Sequence, residues 1–384
     1  MHIAFLTPEF PHAKIAHAAG IGTSIKNLTT ALINEGVKVT VFVYGQKTQE
    51  VVLENGITIH LLKKRKYRLC SWFFYRKFIQ NYCSSIIKRE KIELLEIPDW
   101  TGISAFMNFK IPLIIRFHGS DTYFCHLENR KQKLKNFWFE KLAVIRAKAF
   151  IAPTTFAGDV SKELFKINSK EIKTIHYGLE LENFTNNSPE IYEKDLILYV
   201  GTLIRKKGVL ELPEIFNKVH TIFPNAKLVL IGSDSFDIKT NSTSTWQLLQ
   251  NQFTKEDLKY VTYLGKIPYQ EVRDYIKKAN VCVFPTFAET LGMVTIESMA
   301  MQKAVVNSSI GWAQELIIDK ESGFLVHPSN SSLYAEKIIQ LLENDSLCSQ
   351  IGKQARTRVE DKFDIKKVVT KNIEFYQEII NKKR

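Results

Sequence analysis

Two patterns of hydrophobic and polar positions alternate along the chain. Short, continuous apolar runs rich in β-branched residues are typical of buried strands, whereas longer stretches with apolar residues three or four positions apart are typical of helices. In the first half the predicted strands are HIAFLT, KVTVFVY, IELLEI, PLIIRFHG and AFIAPT. In the second half they are LILYVG, KLVLIG, VTYLG, VCVFPT, AVVNS and GFLVHP. This alternation of strands and helices predicts right-handed βαβ units and parallel sheets.

The two series of strands are separated by the polar segment ENFTNNSPEIYEKD (182–195), which we interpret as a linker. A chain of 384 residues also exceeds what one hydrophobic core usually serves. The predicted fold class is therefore α/β, with two tandem Rossmann-like, doubly wound parallel-sheet domains facing a cleft. We place the first domain at residues 1–184 and the second at residues 185–364.

The segment 365–384 is predicted to be a helix that packs back on the first domain. An apolar stripe runs along it at helical spacing and must be buried somewhere. The stripe consists of Ile365, Val369, Ile373, Tyr376 and Ile380.

Cysteine usage and hydropathy exclude several classes of protein. The five cysteines are scattered and form no CxxC pair, which indicates reduced thiols and argues against a zinc or disulfide framework. Neither a D-x-D motif nor a cluster of His, Cys and Asp with ligand spacing occurs, so we expect no bound metal and no cofactor beyond a co-substrate. The apolar run at the start is too short for a signal peptide, and no run could span a bilayer. The expected location is cytoplasmic, with peripheral attachment to the inner membrane face as a further hypothesis.

The net charge of +13 is concentrated in the first half. Residues 1–184 carry 27 Lys and Arg against 16 Asp and Glu, a net charge of +11, whereas residues 185–384 carry 26 against 24. The densest part is KKRKYRLCSWFFYRKF (63–78), with seven basic residues, six aromatic residues and no acid. One interpretation is a surface that docks on anionic lipid, with Trp72, Phe73, Phe74 and Tyr75 at the interface. Nucleic acid binding and a solvated connector with aromatic residues in the core are the alternatives.

Ligands of doubly wound sheets bind outside the carboxyl ends of the strands, so residues that follow strands are the candidates for a site. In VCVFPTFAETLGMVTIESMA, Glu289 lies in a loop after a predicted strand, and the amides of Leu291, Gly292 and Met293 lie at a helix N-terminus that suits an anion. Glu297 lies about a turn and a half inside that helix, where a ribose diol could meet its carboxylate. The spacing alone fits equally well with two surface glutamates beside a buried apolar stripe.

A second candidate follows the strand LILYVG, where Arg205, Lys206 and Lys207 lie between Gly201 and Gly208. Cations there would stabilise a departing diphosphate, although an exposed basic turn is the alternative.

Three weaker candidates also follow predicted strands. Gly20 and Gly22 would let a phosphate or sugar approach the backbone, but Ile25 replaces the third glycine of a dinucleotide fingerprint. His118 and Asp121 in IIRFHGSDTYF could face the cleft, and a satisfied structural histidine is the alternative. Glu315 could accept hydrogen bonds from sugar hydroxyls.

Taken together, these segments closely resemble the retaining, family-four glycosyltransferases with the GT-B fold. The donor-binding half of that family typically shows three motifs, which appear here as GTLIRKKG, ETLGMVTIE and ELIIDKESGFLV. The segments GIGTSIKNL, PDWTG, RFHGSD and IHYGLE resemble landmarks of its N-terminal half. The chain departs from the pattern at Thr202, where the family usually has a phosphate-binding arginine, and at Gln302, which replaces a usual glycine in MAMQKAVV.

The resemblance implies a role for each matched residue. Glu289 would contact the transferred sugar, Glu297 the ribose, and Leu291 to Val294 the phosphates. His118 would lie by the reacting sugar. The implied catalytic set is His118, Glu289, Arg205 and Lys207. The implied donor-binding set is Gly20, Gly22, Gly201, Thr202, Lys206, Leu291, Gly292, Met293, Val294 and Glu297. Asp121 and Glu315 would contact the acceptor or the sugar.

The function implied is transfer of a sugar from a nucleotide-diphosphate sugar to a hydroxyl of a glycan or polyprenyl-linked acceptor, with retention and without a metal. Synthesis of cell-surface polysaccharide or lipopolysaccharide is the expected setting, and the basic first half makes an anionic membrane a further expected partner. Three alternatives remain open: a nucleotide-sugar epimerase of similar fold, a glycan phosphorylase and a non-catalytic nucleic-acid-binding protein. The epimerase would turn over donor alone, and the phosphorylase would require free phosphate.

Overall fold

The structure is a computed structural model that describes residues 1–15, 20–168 and 170–382. It divides into two compact units. The first contains Met1–Leu179 together with the chain from Ile365 onward, and the second is Glu180–Asp364. The change of unit falls a few residues before the predicted boundary at 184, because a short 3₁₀ helix, Leu181–Phe184, belongs to the second unit.

The first unit is built on one sheet. In the part of the chain that the structure describes, its strands are β1 (His2–Thr7), β2 (Lys38–Gln46), β3 (Glu50–Glu54), β4 (Ile57–Lys63), β5 (Leu94–Pro98), β6 (Leu113–Arg116), β7 (Ala149–Ala152) and β8 (Ile172–Thr174). Its helices there include α1 (Gly20–Asn34), α2 (Ser71–Glu90), α3 (Asp121–Leu127), α4 (Leu134–Arg146) and α5 (Thr155–Phe165). The strand order is β3-β4-β2-β1-β5-β6-β7-β8, so the connections reverse direction between β1 and β5.

One edge of this sheet departs from the predicted parallel arrangement. Strands β3 and β4 form an antiparallel hairpin across Asn55 and Gly56, both of which have positive φ. An Asn-Gly pair between two short strands is the preferred sequence for such a two-residue turn. The predicted fold class of two parallel-sheet α/β domains is confirmed. The antiparallel strand β3 at this edge was not predicted, although the local signal for the hairpin was present.

The second unit is built on a fully parallel sheet. Within the described residues its strands are β9 (Leu196–Val200), β10 (Lys227–Ile231), β11 (Val261–Tyr263), β12 (Val281–Phe284), β13 (Ala304–Ser308) and β14 (Phe324–Val326). Its helices there are α6 (Leu212–Ile222), α7 (Thr245–Gln250), α8 (Tyr269–Lys278), α9 (Met293–Ala300), α10 (Gly311–Gln314), α11 (Ser331–Glu343) and α12 (Asp345–Lys362). The order β11-β10-β9-β12-β13-β14 is that of a Rossmann-type sheet, and it reverses between β9 and β12.

The helix α13 (Ile365–Asn381) belongs to the first unit. Ile365, Val369 and Tyr376 are buried in a cluster that also contains Ile3 and Phe5 of β1. Ile373 and Ile380 pack against the same cluster. The apolar stripe of the last helix is thus part of the core that begins at the first strand.

Buried polar contacts also hold α13 to the sheet. Arg116 of β6 forms a bidentate ion pair with Glu96 of β5 at 2.7 and 3.0 Å, and both side chains are buried. The same guanidinium donates to Asn372 at 2.6 Å and to Tyr376 at 3.2 Å, both on α13. The Tyr376 hydroxyl donates to Glu96 at 2.5 Å. Side chains of the helix thus hydrogen-bond to both members of the buried ion pair on β5 and β6.

Candidate functional site

The main candidate site lies where the strand order of the second unit reverses. The loops that follow β9 and β12 leave the carboxyl ends of two neighbouring central strands. This topological switch point is the usual ligand position in open α/β sheets. The first loop carries Arg205, Lys206 and Lys207, and the second carries Glu289, so strand order brings together two candidates that are far apart in sequence.

Direct contacts hold the two loops against each other. The amides of Phe287 and Ala288 donate to the carbonyl of Lys206 at 2.8 and 3.2 Å. Gly208 has a φ of +67°, and a Cβ atom there would lie 1.6 Å from the carbonyl oxygen of Pro285. Only glycine permits this approach, which fixes the basic turn beside the Glu289 loop.

Lys207 and Glu289 form an ion pair within this assembly. The two side chains are about one fifth exposed, and the amide of Thr290 donates to the other oxygen of Glu289 at 3.0 Å. Burial opposes ionisation of Glu289, but the charges of Lys207 and Lys206 and these hydrogen bonds outweigh it and lower the pKa of the carboxyl. Glu289 is therefore an ionised carboxylate with a fixed orientation, and its oxygens accept hydrogen bonds.

Arg205 has a different partner from the one predicted for it. Its guanidinium donates to both oxygens of the buried Asp237 at 2.9 and 2.8 Å. The hydrogen bonds from Arg205 and Thr240 lower the pKa of Asp237 to about 2. This bidentate pair uses the guanidinium to hold the segment after β10.

The helix α9 presents its N-terminus beside this loop. Gly292 has a φ of +94° and is the N-cap residue, so the N-cap position offers no side chain to the amides of the first turn. Leu291 and the nearby Trp312 are fully buried, so Leu291 offers a ligand only its backbone. Met293 and Val294 are half-buried and begin the helix. A helix N-terminus with glycine at the N-cap position suits an anion.

Glu297 lies on α9 with only 6% of its surface exposed. The Tyr269 hydroxyl donates to one carboxyl oxygen at 2.6 Å, and the other oxygen is buried with no hydrogen-bond partner among the described residues. Burial raises the pKa of Glu297 to about 7, against the opposing effects of Tyr269 and Arg273. A carboxylate in an apolar helix is costly unless polar groups meet it, and this one is satisfied on one side only.

A pH dependence of stability follows from Glu297. A carboxyl whose pKa is higher in the folded than in the unfolded state binds protons more tightly when folded. Its contribution is most favourable below the ordinary value of 4.5 and falls as pH rises toward about 7. We expect this single group to change the free energy of unfolding by roughly 3 kcal/mol across that interval, at about 1.4 kcal/mol per pH unit.

The measurement compares denaturant unfolding of the wild type and Glu297→Gln at several pH values. The difference between the two proteins should grow with pH up to about neutrality and then level off. Glu343→Gln, on the exposed end of α11, is the matched control and should follow the wild type. Parallel pH profiles for all three proteins would contradict the assignment.

Three other predicted residues of the second unit lie near strand ends. Gly201 follows β9, where a Cβ atom would lie 2.9 Å from the Tyr199 hydroxyl. Thr202 is exposed, and its carbonyl accepts from Tyr199 at 3.2 Å. Glu315 ends the short helix α10, is half-buried, and its carbonyl accepts from Arg358 at 2.8 Å.

In the first unit His118 lies two residues after the end of β6. Its amide donates to Asp99 at 2.8 Å, and its Nδ1 atom lies 2.8 Å from the Tyr177 hydroxyl, with the two rings stacked. Burial, and then the charge of Arg116, lower the pKa of His118 to about 3. The imidazole is therefore neutral near pH 7 and can take part in hydrogen bonds without carrying charge.

Two further candidates of the first unit have protein partners. Asp121 begins α3 and accepts from Asn136 at 3.0 Å and from Arg130 at 3.5 Å. The amide of Gly22 in α1 donates to the carboxylate of the buried Glu9 at 2.8 Å. A carboxylate thus lies at the position that the sequence analysis assigned to a phosphate. Gly20 is the first residue of α1, and none of the described residues lies within 4 Å of a Cβ atom built there.

Sequence reasoning missed Asp99, Tyr269 and Asp237 as members of these sites. Asp99 follows β5 at the reversal of the first sheet, is buried, and has one carboxyl oxygen without a hydrogen-bond partner among the described residues. Burial raises its pKa to about 7. The motif PDWTG contained the signal for Asp99, whereas Tyr269 and Asp237 become partners only through long-range packing.

The described part of the chain contains neither a metal-binding cluster nor a helix that could span a membrane. Among residues 1–15, 20–168 and 170–382, no group of three or more His, Cys, Asp or Glu is placed to hold a metal ion. Over the same residues, each helix is too short or too polar to cross a bilayer.

Comparison with known proteins gives two matching family models. The model described as Glycosyltransferase Family 4 matches residues 18–183, and that described as Glycosyl transferases group 1 matches residues 182–358. An uncharacterized glycosyltransferase of Methanocaldococcus jannaschii is 24% identical over 374 residues, which cover 96% of this chain and 97% of that protein. A capsular polysaccharide biosynthesis glycosyltransferase, CapM of Staphylococcus aureus, is 31% identical over 198 residues, which cover 48% and 49%.

Solved structures with the same fold cover nearly the whole chain. Sucrose-phosphate synthase from Thermosynechococcus elongatus gives a TM-score of 0.80 at 20% identity and covers 99% of both chains. HepE of Anabaena, in complex with UDP-glucose, gives 0.74 at 16% identity and covers 98% of this chain and 100% of that one. At this level of identity the likeness shows the fold.

Proposed function

Because the chain belongs to the family-four, group 1 glycosyltransferases with the GT-B fold, we propose that it moves a sugar from a nucleotide-diphosphate sugar to an acceptor hydroxyl with retention at the anomeric carbon. The observation that carries the proposal is the buried carboxylate of Glu297, of which only one oxygen has a hydrogen-bond partner among the described residues. It lies on a helix whose N-cap residue is a glycine and whose N-terminus adjoins the Glu289–Lys207 pair. Along the chain, Glu289 would then accept hydrogen bonds from the sugar, residues 291–294 would bind the anion, and Glu297 would accept hydrogen bonds from a diol.

The proposed donor pose follows from this order. The diphosphate lies at the first turn of α9, where backbone amides and the nearby Lys206 and Lys207 balance its charge. The ribose hydroxyls donate to the unpartnered oxygen of Glu297, which supplies the polar contact that this buried carboxylate lacks. The sugar extends toward Glu289, whose oxygens accept hydrogen bonds from its hydroxyls.

In the proposed reaction, the bond between the anomeric carbon and the diphosphate breaks while the acceptor oxygen bonds to the same face of that carbon. The proton of the acceptor hydroxyl passes to the departing phosphate oxygen, so no side chain is required as a base. Glu289 orients the sugar, and Lys206 and Lys207 stabilise the charge that develops on the diphosphate. The family resemblance assigns His118 to the reacting sugar, and as a neutral imidazole it would act as a hydrogen-bonding group.

We further propose that the transfer requires no metal ion. The acceptor would be a glycan or a polyprenyl-linked sugar. Residues 1–184 carry a net charge of +11, which favours a diphosphate-bearing lipid acceptor at the inner membrane face. A role in cell-surface polysaccharide or lipopolysaccharide synthesis is consistent with the named function of CapM. The complex of HepE with UDP-glucose supports including uridine donors among the first to be tested.

The experiment that tests the donor site is a thermal-shift panel with UDP, GDP, ADP and their common sugar conjugates, with EDTA and with Mg²⁺. One nucleotide should stabilise the protein in both conditions, by about 2.7 kcal/mol at a hundredfold excess over its dissociation constant. Glu297→Ala should lose this shift, and the control Glu343→Ala should keep it. Equal shifts in wild type and Glu297→Ala, or no shift with any nucleotide, would contradict the proposed site, and a shift that needs Mg²⁺ would contradict only its metal independence.

A further inference from the structure

Two segments of the first unit are rich in exposed basic and apolar side chains. Residues 63–74 lead into α2 and begin it, and residues 131–139 lead into α4 and begin it. Neither segment contains an acidic residue. The exposed basic side chains are Lys63, Lys64, Arg65, Lys66 and Arg68 in the first segment and Lys131, Lys133 and Lys135 in the second.

Contacts between aromatic rings join the two segments into one surface. Tyr67 contacts Phe74, which contacts Phe73, and Phe73 contacts Trp72, with ring centroids 5.6 to 5.9 Å apart. Trp72 reaches the second segment at Phe139, with centroids 5.1 Å apart. The ammonium group of Lys135 lies 5.7 Å from the centre of the same Phe139 ring. We call this continuous surface, formed by residues 63–74 and 131–139, the docking edge.

Large apolar side chains on the docking edge are exposed to water. Leu69 is 74% exposed, Leu134 is 76% exposed and Trp138 is 57% exposed. Phe74 and Trp72 are 47% and 39% exposed. Single exposed apolar residues are ordinary, but five within two segments that the Trp72–Phe139 contact joins indicate a surface that binds an apolar partner.

The helix ends at the docking edge favour a negatively charged partner. Neither α2 nor α4 has a side-chain cap or an acidic residue in its first turn. Lys133 occupies the N-cap position of α4, and Cys70 occupies that of α2. Basic residues at a helix N-terminus oppose the helix dipole, so this arrangement is unfavourable in isolation and becomes favourable when anions lie against it.

We propose that the docking edge binds the surface of a bilayer that contains anionic lipids. The basic side chains and the two helix ends meet lipid phosphates, while Leu69, Leu134 and Trp138 enter the boundary between headgroups and acyl chains. This inference rests on the proposed function in one respect, since a polyprenyl-linked acceptor would be presented at such a surface. Exposed leucines distinguish a lipid partner from a nucleic acid, which would use stacking aromatic rings and cations but gains little from aliphatic side chains.

The test is co-sedimentation of the full chain with phosphatidylcholine vesicles, with and without phosphatidylglycerol. We expect binding that requires phosphatidylglycerol and weakens as salt is added. The triple variant Lys131→Gln, Lys133→Gln, Lys135→Gln should bind about a hundredfold less, since each basic residue near an anionic surface contributes roughly fivefold. A separate variant, Leu134→Ser with Trp138→Ser, should bind at least about tenfold less through the loss of inserted apolar surface.

A matched control removes the same charge elsewhere on the first unit. Lys38, Lys162 and Lys173 are exposed and lie outside the docking edge, so the triple variant Lys38→Gln, Lys162→Gln, Lys173→Gln should bind nearly as the wild type does. Equal losses in both triple variants would overturn the docking edge in favour of a diffuse charge effect. Equal binding to vesicles with and without phosphatidylglycerol, or retention on poly-uridine without vesicle binding, would also overturn it.

The nucleotide thermal shift, measured on the same preparations, separates this inference from the proposed function. All the vesicle-binding variants should keep the nucleotide shift, because the docking edge contains no residue of the second unit. A protein that shifts with nucleotide but ignores anionic vesicles would overturn the docking edge alone. A protein that binds vesicles through the docking edge without any nucleotide shift would overturn the donor site alone.

Discussion

Replacement of Glu289 by Ala is expected to lower kcat for sugar transfer by at least about a hundredfold while nucleotide binding persists. The carboxylate is held by Lys207 and by the Thr290 amide, so its oxygens have a fixed position toward the proposed sugar. Loss of such an orienting group typically costs that much, because a misplacement of about 1 Å is enough. The measurement is initial-rate kinetics with the nucleotide sugar identified by the thermal-shift panel, together with the shift itself.

The control for Glu289→Ala is a second Glu–Lys pair in the same unit. Glu336 and Lys337 pair at 2.9 Å on the outside of α11, with the glutamate 63% exposed. Glu336→Ala should leave kcat unchanged. A Glu289→Ala enzyme with wild-type turnover would remove Glu289 from the proposed site.

Replacement of Arg116 by Met is expected to destabilise the first unit by about 3–5 kcal/mol. The substitution leaves the carboxylate of Glu96 buried without its cation, and removal of one partner from a buried ion pair has this typical effect. It also removes the two hydrogen bonds from Arg116 to Asn372 and Tyr376, which hold α13. Chemical denaturation with hydrogen exchange resolved to β5, β6 and α13 would measure the loss.

Two further variants serve as controls for Arg116→Met. Arg89→Met disrupts an Arg–Glu pair at a similar distance, 2.8 Å from Glu90, but its arginine is 65% exposed, so it should change stability by less than about 1 kcal/mol. Adding Glu96→Gln to Arg116→Met should recover part of the loss, because no unpaired charge is then buried. Equal destabilisation by Arg89→Met and Arg116→Met would contradict the explanation.

The sequence predicted the strands of the second unit and the positions of Glu289, Gly292 and Glu297 because their signals are local. Apolar runs define each strand, and glycine precedes a helix at Gly292. Strand order is not a local property, and it is what brings Lys207 beside Glu289. The pairing of Arg205 with Asp237 could not be predicted from the sequence either, since Asp237 lies 32 residues later in an irregular segment.

The structure explains why the family usually has glycine at the position of Gln302. Gln302 follows the end of α9 with a φ of +57°, and its backbone amide donates to the carbonyl of Met299 at 3.0 Å in a tight C-terminal turn. This left-handed position after a helix is where glycine is preferred, since other residues adopt it at a cost of about 1 kcal/mol or more. The backbone turn is therefore formed with glutamine in place of glycine.

The membership of α13 in the first unit has a consequence for the order in which the chain folds. Ribosomes release β1 to β8 long before α13, so the nascent first unit lacks one wall of its core while all of Glu180–Asp364 is being made. The second unit has its full set of strands in one continuous stretch and can fold during synthesis, whereas the first must wait for contacts that are distant in sequence. Its apolar sheet face then stays open until α13 itself has been synthesised, and a stall between α12 and α13 would expose that face to aggregation.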